Sequence, residues 1–124
     1  MRVYKTRWFN RWAKKAGLSD RALLAAVDEM ERGLVGDALG GFVFKKRVAF
    51  PGGGKRGGSR ALIVYKKADR AFFVFGFRKS RRSTIVPHEL HDMRLLARHY
   101  LSYTPEELDA ALAARELIEV SQDG

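Results

Sequence analysis

The sequence has no cysteine. Disulfides and thiolate metal sites are therefore excluded, and a reducing compartment is the simplest setting. Long apolar runs are missing too. No stretch approaches the roughly 18 residues of a membrane span, and the basic residues 1–15 lack the apolar core of a signal peptide. The expectation is a soluble, cytoplasmic protein with no membrane contact. Acidic residues are scarce where basic ones are dense: residues 44–82 hold 13 Lys/Arg and a single acid, Asp69. The net charge of +10 divides into +15 over residues 1–82 and −5 over residues 83–124. Charge serving solubility alone would mix its signs, whereas segregation on this scale points to a polyanion or an acidic partner.

Hydrophobic residues fill 46% of the 124 positions, with eight Phe, which suits one folded domain over residues 1–124. Residues 2–4 read as a short strand ahead of Thr6, a helix N-cap. Phe9, Trp12, Ala13 and Ala16 recur at i, i+3, i+4 and i+7, one apolar helix face that Gly17 ends. Ser19 or Asp20 caps a second helix, with Ala22, Leu23, Ala26, Val27 and Met30 inward and Gly33 and Gly36 closing it. The short link between the two predicts an antiparallel helical hairpin.

From Gly41 the period changes to two. Phe42, Phe44, Val48 and Phe50 alternate with Val43, Lys45, Arg47 and Ala49, giving an apolar and a basic face, with Lys46 interrupting the apolar row. Residues 60–67 and 70–79 are β-branched and aromatic runs separated by Ala68 and Asp69, a hairpin spacing. Both are apolar on two sides, so the sheet should be covered on both faces. The helical pattern returns after Pro87 through Leu90, Met93, Leu96, Ala97 and Tyr100, and Thr104-Pro105-Glu106-Glu107 starts a last helix. The fold class is α+β: an antiparallel sheet of about four strands with an N-terminal helical hairpin and C-terminal helices.

Residues 51–60 read PGGGKRGGSR. Gly52, Gly54 and Gly57 formally spell G-x-G-x-x-G, but a strand follows where a dinucleotide fold needs a helix, and Arg56 after Lys55 excludes a Walker loop. What remains is a hairpin loop carrying Lys55 and Arg56, with Arg60 on the next strand. Glycines let backbone amides approach phosphate, and the cations supply charge, although an ordinary mobile loop would be equally glycine-rich. A second basic cluster, Arg78, Lys79, Arg81 and Arg82, follows the last strand. In a meander the start of one strand lies beside the end of the next, so this cluster and Arg60 should converge, with Lys45 and Arg47 adding to the phosphate-binding surface. His88 and His91, beside Glu89 and Asp92, match no zinc spacing, and neither metal nor cofactor is expected. Trp8 and Trp12 read as core or interface residues rather than base-stacking platforms.

The segments at 54–63 (GKRGGSRALI) and 70–80 (RAFFVFGFRKS) together resemble the HigB-like branch of the RelE/ParE toxin superfamily. So do residues 11–20 (RWAKKAGLSD), 40–47 (GGFVFKKR) and 117–120 (LIEV), and the likeness covers about residues 3–120. The resemblance implies a fold similar to microbial ribonucleases. It implies the toxin of a type II toxin-antitoxin system, which enters the ribosomal A site, contacts mRNA and ribosomal RNA, and cleaves the message. A cognate antitoxin, acidic and DNA-binding, would silence it. Arg60 falls at the family's phosphate-binding arginine, Lys79 or Arg81 at its second basic position, and Lys55 near the lysines of the preceding loop. Where the best-studied member has a catalytic tyrosine after the last strand, this chain offers Ile85, Val86 and His88.

RNA cleavage by its own 2′-hydroxyl needs a base, an acid for the departing 5′-oxygen, and positive charge at the pentavalent phosphorus. Arginine stays protonated, so Arg60, Arg78 and Arg81 position phosphate or stabilise charge. A lysine crowded by cations releases its proton more readily, which makes Lys55 or Lys79 a proton carrier, and His88 needs no such tuning. Arg60, Lys79, Lys55 and His88 are thus the candidate catalytic set. Two other functions fit the same charge pattern: a ParE-like gyrase poison, and a non-catalytic nucleic-acid-binding module.

Overall fold

The computed structural model describes residues 1–49, 58–79 and 85–122. Lys55, Arg56, Arg81 and Arg82 lie outside the described residues. Along the chain run β1 (Arg2–Thr6), α1 (Arg7–Ala16), α2 (Asp20–Glu31), β2 (Asp37–Ala38), β3 (Val43–Val48), β4 (Ser59–Lys66), β5 (Arg70–Arg78), α3 (Pro87–Leu101), α4 (Pro105–Ala113) and β6 (Leu117–Glu119). The strands form one sheet in the order β2-β3-β4-β5-β1-β6.

The sheet corrects the sequence expectation in two ways. It has six strands among the described residues rather than about four, and it is mixed, because β1 pairs with β5 in parallel and with β6 antiparallel. The extra strands, β2 and β6, are two and three residues long, too short to display a period of two. The parallel pairing joins residues nearly seventy positions apart, which no local pattern encodes.

The helical hairpin is a third correction. Thr6 and Ser19 cap α1 and α2 as expected, accepting from Phe9 and Ala22 backbone N–H, and Gly17 ends α1 in the left-handed conformation. Yet α1 rests on β1, β5 and β6 while α2 rests on β3. The apolar faces of both helices turn to the sheet rather than to each other. Phe9, Ala13, Leu23, Ala26, Val27 and Met30 share one core with Val48, Ala61, Ile63 and Phe73 of the strands. The other sheet face packs Leu62, Val64, Phe72 and Val74 against Ala97, Tyr100, Leu108 and Ala111 of α3 and α4. Both faces are covered, as the apolar content of β4 and β5 requires.

Alternation in β3 places Val43, Lys45 and Arg47 toward the α3 side, and Phe44, Lys46 and Val48 toward α2. Lys46, which breaks the apolar row, is buried and its ammonium pairs with Glu29 of α2 at 2.7 Å. Lys5 similarly pairs with Asp20 at 2.6 Å. Buried ammonium groups need such partners to offset desolvation.

The register of β4 and β5 contains one irregularity. Leu62 faces Phe75 and Ile63 faces Phe73, so Val74 is an extra residue on β5, a β-bulge. Beyond it the phase of β5 inverts. Phe75 joins the α3-side core with Val74, while Gly76 and Arg78 turn toward α1.

The β4–β5 turn carries a smaller strain. Ala68 has φ +60°, left-handed backbone in which a Cβ is crowded, and its N–H donates to the Glu31 carboxylate. Ala68→Gly should therefore raise stability by roughly 0.5–1 kcal/mol, after the greater freedom of glycine in the unfolded chain is deducted. Urea denaturation would report a higher midpoint at unchanged slope.

Candidate nucleic-acid interface

The cationic site is built by strand register. Arg47 of β3 lies directly opposite Arg60 of β4, and Arg60 opposite Phe77 of β5, so all three side chains share the α3-side face. Beneath them Gly58 is buried. A Cβ built on Gly58 would lie 3.2 Å from Arg47 Nε and 3.8 Å from Arg60 Nη1. Both guanidiniums therefore reach over the same bare stretch of backbone, which a side chain at position 58 would crowd.

Like charges directly across a strand pair repel. Strands β3, β4 and β5 contain no carboxylate in their sequences, VFKKRV, SRALIVYK and RAFFVFGFR. Arg60 is half-buried, forms no ion pair among the described residues, and its one hydrogen bond is a 3.4 Å contact to the adjacent Ser59 carbonyl. Two facing guanidiniums over a backbone position without a side chain have the geometry in which planar forks can grip a phosphate with several N–H groups.

The remaining sequence candidates fall in different places. Lys79 is exposed, and its backbone N–H donates to the Gly58 carbonyl at 3.3 Å, which holds it beside the arginine pair. Lys45 shares the basic face but is half-buried and paired with Asp37 at 3.6 Å. Arg78, opposite Ser59, stands at the same sheet end as Arg60, as expected, but its side chain does not join the pair. The bulge at Val74 turns it to the other face, where its guanidinium donates to the Ala16 carbonyl at 3.2 Å. His88 is exposed in the first turn of α3. That helix is tied at its middle to the β2–β3 turn through Arg94 and the Leu39 carbonyl, and the segment after it to β5 through Arg70 and the Tyr103 carbonyl. Both ties lie at the sheet end opposite Arg60, so α3 begins at the Arg60 end. Among the described residues no contact joins His88 to Arg60. No three His, Asp or Glu side chains among the described residues gather as a metal site would require.

The chain's four tyrosines stand away from the arginines. Tyr4 is fully buried and stacks on Phe72 at 5.2 Å. Tyr65 lies five residues along β4 from Arg60, about 16 Å away, and bonds Glu31. Tyr100 of α3 is buried and stacks on Phe72 at 5.0 Å. Tyr103 donates to Glu116 at 2.8 Å, and burial together with that bond pushes its pKa up to about 12. These phenols hold their protons and serve packing. Proton transfer near the arginines would fall to lysine or histidine.

Sequence reasoning singled out Arg60 but not its opposition to Arg47, which depends on register, nor Gly58 beneath both side chains. The glycine-rich run carried that signal without saying which glycine mattered. Among curated proteins no significant match to the chain is found. A family model described as the RelE toxin of the RelE/RelB toxin-antitoxin system matches residues 1–120, and the chain belongs to the RelE toxin family.

Proposed function

We propose that this protein is the toxin of a type II toxin-antitoxin system and acts as a ribosome-dependent mRNA endoribonuclease in the cytoplasm. The observation that carries the reading is the pair of guanidiniums, Arg47 and Arg60, converging over Gly58 on strands that contain no carboxylate. In this reading the two arginines hold the scissile phosphate and neutralise charge as it grows on the non-bridging oxygens. The 2′-oxygen attacks phosphorus and the bond to the 5′-oxygen breaks. One proton leaves the 2′-hydroxyl and one reaches the departing oxygen, carried by Lys79, His88 or Lys55. The products are a 2′,3′-cyclic phosphate and a free 5′-hydroxyl. A substrate held in line by the ribosome supplies the orientation that this sparse site lacks, so activity on free RNA should be low. An acidic antitoxin suits the same cationic face, and their association should slow as salt rises.

Expression without a partner should arrest growth, and 5′-end sequencing of RNA from induced cells should reveal new ends within translated messages. Arrest with intact messages and supercoiling-defective DNA would replace this reading with a gyrase poison. Binding to RNA without either effect would leave a non-catalytic module.

A further inference from the structure

A second surface lies beside the arginine pair, along the edge of β5. Strand β1 pairs with β5 as far as Phe73, just before the bulge. Two tryptophans of α1 cover this edge. Trp12 fits there because Gly76 has no side chain: a Cβ on Gly76 would lie 2.4 Å from the Trp12 ring. Trp12 is half-buried and touches Phe9 of the core. Trp8, one turn earlier, stacks on Phe75 at 4.8 Å and 18° and lies parallel to Trp12 at 6.4 Å and 6°. It remains 41% exposed, a large apolar area to leave in water.

The surroundings of Trp8 are cationic. Trp8, Arg11, Trp12 and Lys15 fall at i, i+3, i+4 and i+7, a single stripe of alternating aromatic and basic residues that lines one shallow surface. Helix α1 contains no acidic residue, and among the described residues neither Arg11 nor Lys15 forms an ion pair. Arg11 and Lys15 are like charges at i, i+4, a pairing that weakens a helix when nothing answers it. The adjoining groove of about 510 Å³ is lined by Trp8, Trp12, Lys15, Phe75, Phe77 and Arg78. Phe77 is also the cross-strand neighbour of Arg60. The groove and the phosphate site thus meet across one strand.

Ring faces rimmed by cations fit one ligand chemistry well: unpaired nucleobases on a phosphate backbone. Every base has a π-face to stack, and the flanking phosphates find Arg11 and Lys15. An acidic protein segment would use the charges but leave the indole faces idle. We infer that Trp8, Trp12, Arg11 and Lys15 form a stacking platform for single-stranded RNA, gripping a nucleotide that flanks the phosphate held by Arg47 and Arg60. This departs from the sequence expectation for Trp8, because packing absorbs Trp12 and leaves Trp8 exposed. The platform deepens the RNA reading above, yet it can stand or fall separately from cleavage.

The chain has only these two tryptophans, so intrinsic fluorescence reports on the platform directly. The probe is a 2′-O-methyl single strand of about eight nucleotides, which lacks the attacking hydroxyl and so takes cleavage out of the measurement. It should quench the emission saturably, while an abasic strand of equal length and a duplex should quench far less. Trp8→Ala should weaken binding about tenfold, the loss expected for one stacked base, and Trp8→Phe should restore most of it. Arg11→Glu should weaken binding and flatten its salt dependence. No quenching by the single strand, equal quenching by the abasic strand, or a response to polyglutamate in place of RNA would each overturn the platform. Message cleavage in cells without quenching would remove the platform alone. Quenching without message cleavage would keep the platform and remove the ribonuclease reading.

Discussion

Arg60→Ala is expected to abolish toxicity while the protein melts as the parent does. Arg60 contributes little to the fold: its hydrogen bond is to its own neighbour, and it faces another cation. Its removal should shift stability by no more than about 0.5 kcal/mol. At the reacting phosphate the balance differs. Losing a charge-assisted donor to the transition state costs roughly 3 kcal/mol or more, about a hundredfold in rate. Arg47→Ala should lose a comparable amount, because both guanidiniums reach the same point over Gly58, and so should Lys79→Ala. Arg60→Lys keeps the charge but not the planar fork and should recover only part of the activity. Lys66→Ala and Lys67→Ala, at the far end of β4 and in its turn, should do little beyond weakening general RNA attraction. Growth assays beside thermal melts decide the matter. An Arg60→Ala protein that melts normally and still kills would remove the arginine pair from the mechanism.

Gly36→Ala should destabilise the protein by about 3 kcal/mol, summing left-handed strain with overlap against backbone. Gly36 has φ +76°, and a Cβ there would lie 2.4 Å from the Lys45 carbonyl oxygen and 3.2 Å from Lys46 Cα. Neither atom can swing aside as the end of a side chain would, since both belong to the backbone of β3. The turn from α2 into β2 must open, or β3 must shift. For a chain of this size a loss of 3 kcal/mol lowers the melting temperature by roughly 10 °C or more. Gly33→Ala makes the control. Gly33 also has a positive φ, of +102°, but a Cβ there meets nothing within 4 Å, so only the strain component should appear. Equal melting temperatures for the two variants would refute the close approach at Gly36.

Much of the fold could be read from local pattern. Thr6, Ser19 and Thr104 cap their helices as their positions indicated, and the β3–β5 meander follows the period-two runs. Features created by distant pairing stayed hidden. The parallel β1–β5 ladder has no sequence signature, and β6 is too brief to have one. The candidate site divides along the same line. Arg60 stood out after its glycine-rich loop, and its opposition to Arg47 follows from hairpin register. Arg78 was read at the right end of the sheet, but its face was not legible, because one bulged residue, Val74, inverts the phase of everything after it, and a bulge inside a run of Phe and Val resembles any other strand residue.

The position of β1 sets an order of events during synthesis. Residues 2–6 emerge before either of their partners, since their place in the sheet lies between residues 70–73 and 117–119. At about 5–20 residues per second, the opening strand waits several seconds for β5 to appear. The β3–β4 hairpin pairs residues close in sequence, so it can assemble while β1 is still unpaired. Arg47 and Arg60 can therefore come together before the sheet that carries them is finished. Closure of β6 against β1 must wait longer still, until residues 117–119 have been made.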